Sequence, residues 1–335
     1  MADALISPVV GGTMWVATAG VAAYSIKKVQ TEMDEKKIPL MGVMGAFIFA
    51  AQMINFSIPA TGSSGHLGGG LILAILLGPY AGFLTMASIL TIQALFFADG
   101  GLLALGCNVF NLGFFTCFIA YPLIYKQIMR KGYSGKHILG AAMLTAIIGL
   151  QLGSFGVVLE TLFSGKTELP FGTFILVMQP IHLAIGIVEG LVTAAIVAFV
   201  WKTRPEIMEK AASGEAIGNV SLKKVLAGLV IAAVISGVVL SWFASANPDG
   251  LEWSMFKTAG TAELEVPNGI HQMLSEIQSE TAFLPDYSFK TTENEKFGTS
   301  VAGLVGGGMT LALAALAGLG ISLVKKRQKK QVLRT

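Results

Sequence analysis

Apolar positions in this chain neither alternate strictly nor follow one helical stripe; they run together, and the polar residues gather in the gaps between runs. A continuous apolar stretch of about 20 residues is what an α-helix needs to cross roughly 30 Å of hydrocarbon. Nine runs bounded by charge, Pro or Gly are read at about 9–26, 39–57, 66–78, 80–98, 101–125, 138–160, 172–201, 223–243 and 299–324. The pattern predicts an all-α integral membrane protein. Seven helices before Trp201 make one compact bundle, and two C-terminal transmembrane helices flank an external loop domain. The domains predicted are a transmembrane bundle over 1–205, a cytoplasmic linker over 206–222 and a second module over 223–335. That module consists of a helix at 223–243, an external segment at 244–298, a helix at 299–324 and a basic tail.

Composition agrees: 53% of the 335 residues are apolar and 13% charged. The net charge of +3 is small, and Lys and Arg cluster between apolar runs, which speaks for topology and against nucleic-acid binding. With the N-terminus outside, 19 of the 23 basic residues fall in cytoplasmic segments, the tail from Lys325 included. The prediction is therefore a multi-pass protein of the cell membrane, with its N-terminus outside and its C-terminus cytoplasmic. Asp3 precedes the first run and Lys27 and Lys28 follow it, the reverse of a signal peptide, so this run is expected to be a retained helix. Cys107 and Cys117 lack the spacing of a zinc or redox pair and are expected to be packing residues. No Walker, HExxH, GxSxG or CxxC motif occurs, so the chain is not expected to be an enzyme. Energy for active transport would have to come from a partner or a gradient.

The third run is too short to span. Thirteen helical residues from His66 to Gly78 rise only about 20 Å. The preceding "TGSSGH" at 61–66 therefore reads as a re-entrant loop, and such backbone is tolerated at depth only in protein or against a wet cavity. Gly62 and Gly65 allow a tight turn, and Ser63 and Ser64 can bond freed backbone groups. Gly68, Gly69 and Gly70 permit close helix approach. His66 then either holds the loop by hydrogen bonds or ligates nickel, cobalt, copper or zinc.

Gln52, Asn55, Asn108 and Asn111 are further polar residues within spans; they support the loop and its imidazole or serve helix packing. His182 and Glu189, seven apart on one helix face, are expected to pair with each other or to mark an ion path. Met14, Met41, Met44, Met53 and Met86 read as core filler. Ala19 and Ala23 form a small-xxx-small pair on which a partner helix could dock.

The stretches "TGSSGHLGGGLILAILLGPYAGFL", "ADGGLLALGCNVFNLG" and "ADALISPVVGG" resemble the CbiM/NikM family. Its members are the substrate-binding (S) membrane subunits of cobalt and nickel energy-coupling-factor ABC transporters. "NPDGLE" at 247–252 and "LPDYSF" at 284–289 resemble the PDGLE domain, a CbiN/NikN-like module fused to that family or encoded beside it.

The resemblance implies a seven-helix S-component bundle that captures Co2+ or Ni2+ as cargo, with no cofactor of its own. It implies that the ion is held by the N-terminal amine, by the backbone nitrogen and imidazole of a second-position histidine, and by the loop histidine. Carried over, the metal residues are His66 and the amine of Met1, with Ser63, Ser64, Asn55, Asn108 and Asn111 in support. The second-position histidine has no counterpart in Met1-Ala2-Asp3; a start a residue or two upstream, with a Met-His pair, would restore it. The partners implied are a transmembrane coupling (T) protein and two cytoplasmic ATPases, with membrane lipid around the bundle. The PDGLE-like segment would load the metal or gate the N-terminal strand. Two rival readings are a membrane enzyme subunit using His182 and Glu189 as acid and base, and a gradient-driven carrier of another solute.

Overall fold

The computed structural model describes residues 1–32, 35, 37–213, 218, 220–290 and 295–332. The N-terminal part contains α1 (Pro8–Glu32), α2 (Lys37–Gln52), α3 (Gly70–Leu77), α4 (Pro79–Phe97), α5 (Leu105–Met129), α6 (Gly135–Phe163), α7 (Phe171–Thr203) and the short α8 (Pro205–Ser213). The C-terminal module contains α9 (Lys223–Val238), α10 (Gly250–Ala259), α11 (Ile270–Thr281) and α12 (Glu295–Val332). Punctuation in the sequence explains several boundaries. Pro79 opens α4 directly after Gly78, and Pro205 opens α8, because proline fits a first turn whose N–H has no helical partner.

Among the described residues six helices, α1, α4, α5, α6, α7 and α12, are long and apolar enough to cross a membrane. Three of the nine predicted spans are shorter. The helices α2 and α9 have 16 residues each and α3 has eight. The third run departs most from expectation, because its helix begins at Gly70 and not at His66. The preceding residues form a two-stranded antiparallel hairpin, β1 (Phe56–Ile58) with β2 (Ser63–Gly65), in an otherwise helical chain. Its turn carries Pro59 and Gly62, both poor in a helix interior, and Gly62 has φ +76°.

Every residue of α3 is buried. A short helix that is apolar on all sides belongs inside a bundle, and α3 packs against α4, α5 and α8. From Phe110 to Tyr125 the chain of α5 is wound with the wide i→i+5 pattern. The opposite extreme is α1, of whose most apolar window only 17% is buried. Leucines of α6, α7 and α12, among them Leu144, Leu176 and Leu316, are likewise exposed. These apolar exteriors make the chain a multi-pass membrane protein.

The C-terminal module is joined to the rest along its length. Both α9 and α12 pack on α2, and α9 meets α12 so closely that a Cβ on Gly303 would lie 2.3 Å from the Gly237 carbonyl. At the opposite end, α10 lies on α7 and on β2, and α11 on α4.

Candidate metal site

Polar side chains tie down the backbone that links the hairpin to α3. One Glu189 oxygen accepts from the Gly68 amide at 2.7 Å and the other from the Gly69 amide at 3.1 Å. On the other side of the same residue, Gln52 Nε2 donates to the Gly68 carbonyl at 2.9 Å, and Gln93 Nε2 in turn donates to Gln52 Oε1 at 3.0 Å. Glu189, Gln52 and Gln93 are all buried. A peptide unit left unbonded in such surroundings would cost several kcal/mol in the water-to-hydrocarbon limit, so these bonds are what permits irregular backbone here. Gly69 takes φ +78° and lies against Ile48, where a Cβ would come within 2.5 Å of Cγ2. Only glycine satisfies both demands.

Beyond this linker is a cavity of about 120 Å³, large enough for an ion with several waters. Its polar lining comes from distant parts of the chain and includes Met1, His66, Asn108, Asn111, Ser154, His182 and Asp249. Leu112, Leu150, Ile185 and Leu251 supply apolar wall. Asn111 Nδ2 donates to Glu160 at 2.8 Å, whereas its buried Oδ1 has no hydrogen-bond partner among the described residues.

The first residues are threaded into this cavity by side chains of two other regions. The Met1 carbonyl accepts from the Gly101 amide at 3.0 Å and from Asn108 Nδ2 at 3.2 Å. Asp3 is buried, and its Oδ1 accepts from the Ala104 amide at 2.8 Å. His271 of α11, also buried, places Nε2 2.8 Å from the Ile6 carbonyl and so donates to it.

The motif "NPDGLE" builds another wall. Asp249 is the N-cap of α10, its Oδ1 accepting from the Leu251 and Glu252 amides, while Glu252 reaches back to the Asp249 amide. This reciprocal capping box fixes the first turn of the helix. Gly250 lets that turn approach α7, since a Cβ there would lie 2.6 Å from Ile181 Cγ2 and 3.4 Å from His182 Cε1. The preceding backbone is bonded to the hairpin: the Ser64 amide donates to the Pro248 carbonyl at 2.8 Å, and Ser64 Oγ to the Asn247 carbonyl at 2.8 Å. Trp253 Nε1 donates to the Thr61 carbonyl at 3.0 Å. The motif is thus a helix start seated on the loop that carries His66.

The residues singled out from sequence divide into two groups. His66, Met1, Asn108 and Asn111 share the cavity. Asn55, Ser63 and Ser64 do not line it. Asn55 follows the end of α2, with its carbonyl bonded to the Ser245 amide; Ser63 bonds Thr61, and Ser64 bonds the C-terminal module. The expected pairing of His182 with Glu189 is not formed: His182 Nδ1 bonds the Met178 carbonyl at 2.8 Å, and Glu189 is spent on the two glycine amides. Two turns of helix separate them, and each finds a nearer backbone partner. Ala19 and Ala23 are exposed on α1. Cys107 and Cys117 are free and buried. Among the described residues, no three His, Cys, Asp or Glu side chains converge as a metal cage.

Comparison with known proteins decides the family. The model of the "Cobalt uptake substrate-specific transmembrane region" matches residues 1–207, and that of the "PDGLE domain" matches residues 223–323. The chain belongs to the CbiM family. It is 36% identical over 312 residues to the "Putative fused nickel transport protein NikMN" of Archaeoglobus fulgidus, covering 93% of this chain and 95% of that one. The "Cobalt transport protein CbiM" of Sorangium cellulosum is 31% identical, over 54% of this chain and 80% of its own length. A crystal structure of a truncated transition metal transporter matches with a TM-score of 0.54 at 29% identity, over 61% of this chain and 98% of that one. This CbiM-family chain, fused to a PDGLE domain, is a transporter rather than an enzyme. The acid-base reading of His182 and Glu189 therefore lapses.

Proposed function

We propose that this chain captures Co2+ or Ni2+ in a cavity facing the cell exterior and delivers the ion inward as the substrate-binding subunit of an ATP-driven energy-coupling-factor importer. The observation that carries the reading is the meeting of Met1 and His66 in one cavity, brought there by Asn108, Gly101 and the glycine loop. His66 Nδ1 lies 3.1 Å from the Leu67 carbonyl, which leaves Nε2 as the nitrogen that can bind an ion. Nitrogen donors from an imidazole and the chain's terminal amine suit Ni(II) and Co(II). The strong bias of basic residues to one side supports an N-terminus outside and a C-terminus in the cytoplasm.

A transmembrane coupling protein and two cytoplasmic ATPases supply the energy, since this chain has no nucleotide-binding motif. The coupling protein docks on the exposed small residues Ala19 and Ala23 of α1, the least buried of the long helices. The PDGLE module holds the N-terminal segment through His271 and covers the cavity with Asp249 and Leu251, so it governs entry of the ion. Calorimetry on purified protein tests the site. The His66→Ala variant is expected to lose high-affinity binding of Ni(II) and Co(II), and retained stoichiometric binding would refute the assignment.

A further inference from the structure

The cavity contains a second imidazole to which the loop and the N-terminus give no task. His182 projects from α7, and its Nδ1 lies 2.8 Å from the Met178 carbonyl. A carbonyl can only accept, so Nδ1 carries the proton and Nε2 keeps its lone pair. Among the described residues Nε2 has no hydrogen-bond partner. A bond from a ring N–H to the carbonyl one turn back is an ordinary way to settle a histidine inside a helix bundle. That arrangement still leaves an acceptor nitrogen to be satisfied, here beside a half-apolar cavity. His66 is held the same way, with Nδ1 on the Leu67 carbonyl. One ring nitrogen on a backbone carbonyl and the other free is how metal-bound imidazoles are oriented.

Two neighbours strengthen the case. Asp249 lines the same cavity and spends only Oδ1 on the amides of its own helix, so a negative charge faces the space beside His182. The backbone of Gly250 lies over the ring, where even a methyl group would stand 3.4 Å from Cε1. The PDGLE turn thus borders the imidazole on one side, and the ring lines the cavity. Asn111, with its unpartnered Oδ1, lines the same space.

We propose that His182 is a second ion-binding imidazole of this cavity, its Nε2 joining that of His66 on the transported divalent cation. The proposal rests on the cation-capture reading above and extends it. The donor set is then two imidazoles and a terminal amine, a nitrogen-rich set suited to Ni(II) or Co(II), and needs no cluster of three side chains.

X-ray absorption of the full chain loaded with NiCl2, together with nickel calorimetry, tests it. The wild-type spectrum is expected to show scattering from two imidazoles per nickel, and His182→Ala from one. Nickel affinity should fall at least roughly tenfold in His182→Ala, since even residues that only orient a metal ligand cost 10–100-fold. In His182→Gln the amide can still donate to the Met178 carbonyl, so a general folding defect is avoided and the affinity loss must persist. One imidazole in the wild-type spectrum, or unchanged affinity in His182→Gln, would overturn the proposal. If His66→Ala abolishes binding while both His182 variants bind as wild type, the capture reading stands and this proposal falls. Absence of stoichiometric nickel binding by the wild-type chain takes down both.

Discussion

Glu189 is the residue whose replacement should reveal how far the loop that carries His66 depends on polar contacts made deep in the bundle. Its two oxygens take the amides of Gly68 and Gly69, each from a different oxygen. Alanine there leaves two buried donors unsatisfied, at about 1–3 kcal/mol each, hence about 2–6 kcal/mol in all. Glutamine keeps one acceptor oxygen but turns an NH2 toward the other amide, so about half of that loss remains, about 1–3 kcal/mol. If the loop must hold its present shape to bind the ion, apparent affinity falls by the fraction of molecules that keep it. For Glu189→Gln that is at most about 5- to 150-fold, at tenfold per 1.4 kcal/mol, the full loss applying where the loop has no stability in reserve, and more for Glu189→Ala. Nickel calorimetry gives the affinity, and hydrogen exchange of a peptide spanning 66–70 reports the amides directly. Faster exchange should accompany weaker binding, in the order wild type, Gln, Ala. Wild-type affinity and unchanged exchange in Glu189→Ala would refute the reasoning.

Other expectations follow from close contacts and the C-terminal module. Gly70→Ala would place a methyl 2.5 Å from the Leu112 carbonyl and 2.3 Å from Thr116 Oγ1. Backbone cannot yield as a side chain can, so a loss of about 1–3 kcal/mol is expected, visible as a lower melting temperature in detergent. Gly140→Ala, on a helix position with nothing within 4 Å, is the control and should be neutral or slightly stabilising. Gly250→Ala should push the start of α10 off Ile181 and loosen the roof of the cavity, measured as faster proteolysis of the 244–298 segment. Tyr287 donates its hydroxyl to Asp99, and burial, followed by the Asp99 charge, raises its pKa well above the ordinary tyrosine value. A raised phenol contributes stability below the ordinary pKa of about 10 and loses it as pH climbs through the folded value. Tyr287→Phe should cost about 1 kcal/mol at neutral pH, and the denaturation profiles should meet about one pH unit above 10 and cross, the variant being the more stable in strong base.

Properties that short windows of sequence can specify were legible in advance. Apolar run length marked a helical membrane protein, and Pro and Gly marked where several helices begin and end. The shortness of the run from His66 to Gly78 pointed to irregular backbone before α3, and His66 does line a cavity there. The helix starts later than run length predicts because "HLGG" is apolar enough to count as helix; hydropathy does not register that Gly69 takes a left-handed conformation. Amphipathic spacing likewise suggested a His182–Glu189 pair, since same-face positions on one helix say nothing about which neighbour each side chain meets.

What only the tertiary structure decided is which residues share the cavity and what holds them there. Glu189 meets Gly68 across 121 residues of chain, and His271 meets Ile6 across 265. Asp249 and Gly250 face His182 because a capping box sets the first turn of α10 and a missing side chain lets it touch α7. Helix formation and membrane insertion depend on local composition, which a sequence carries openly. A binding cavity depends on contacts between segments whose separation along the chain leaves no periodic trace, so its membership is fixed only when the helices pack.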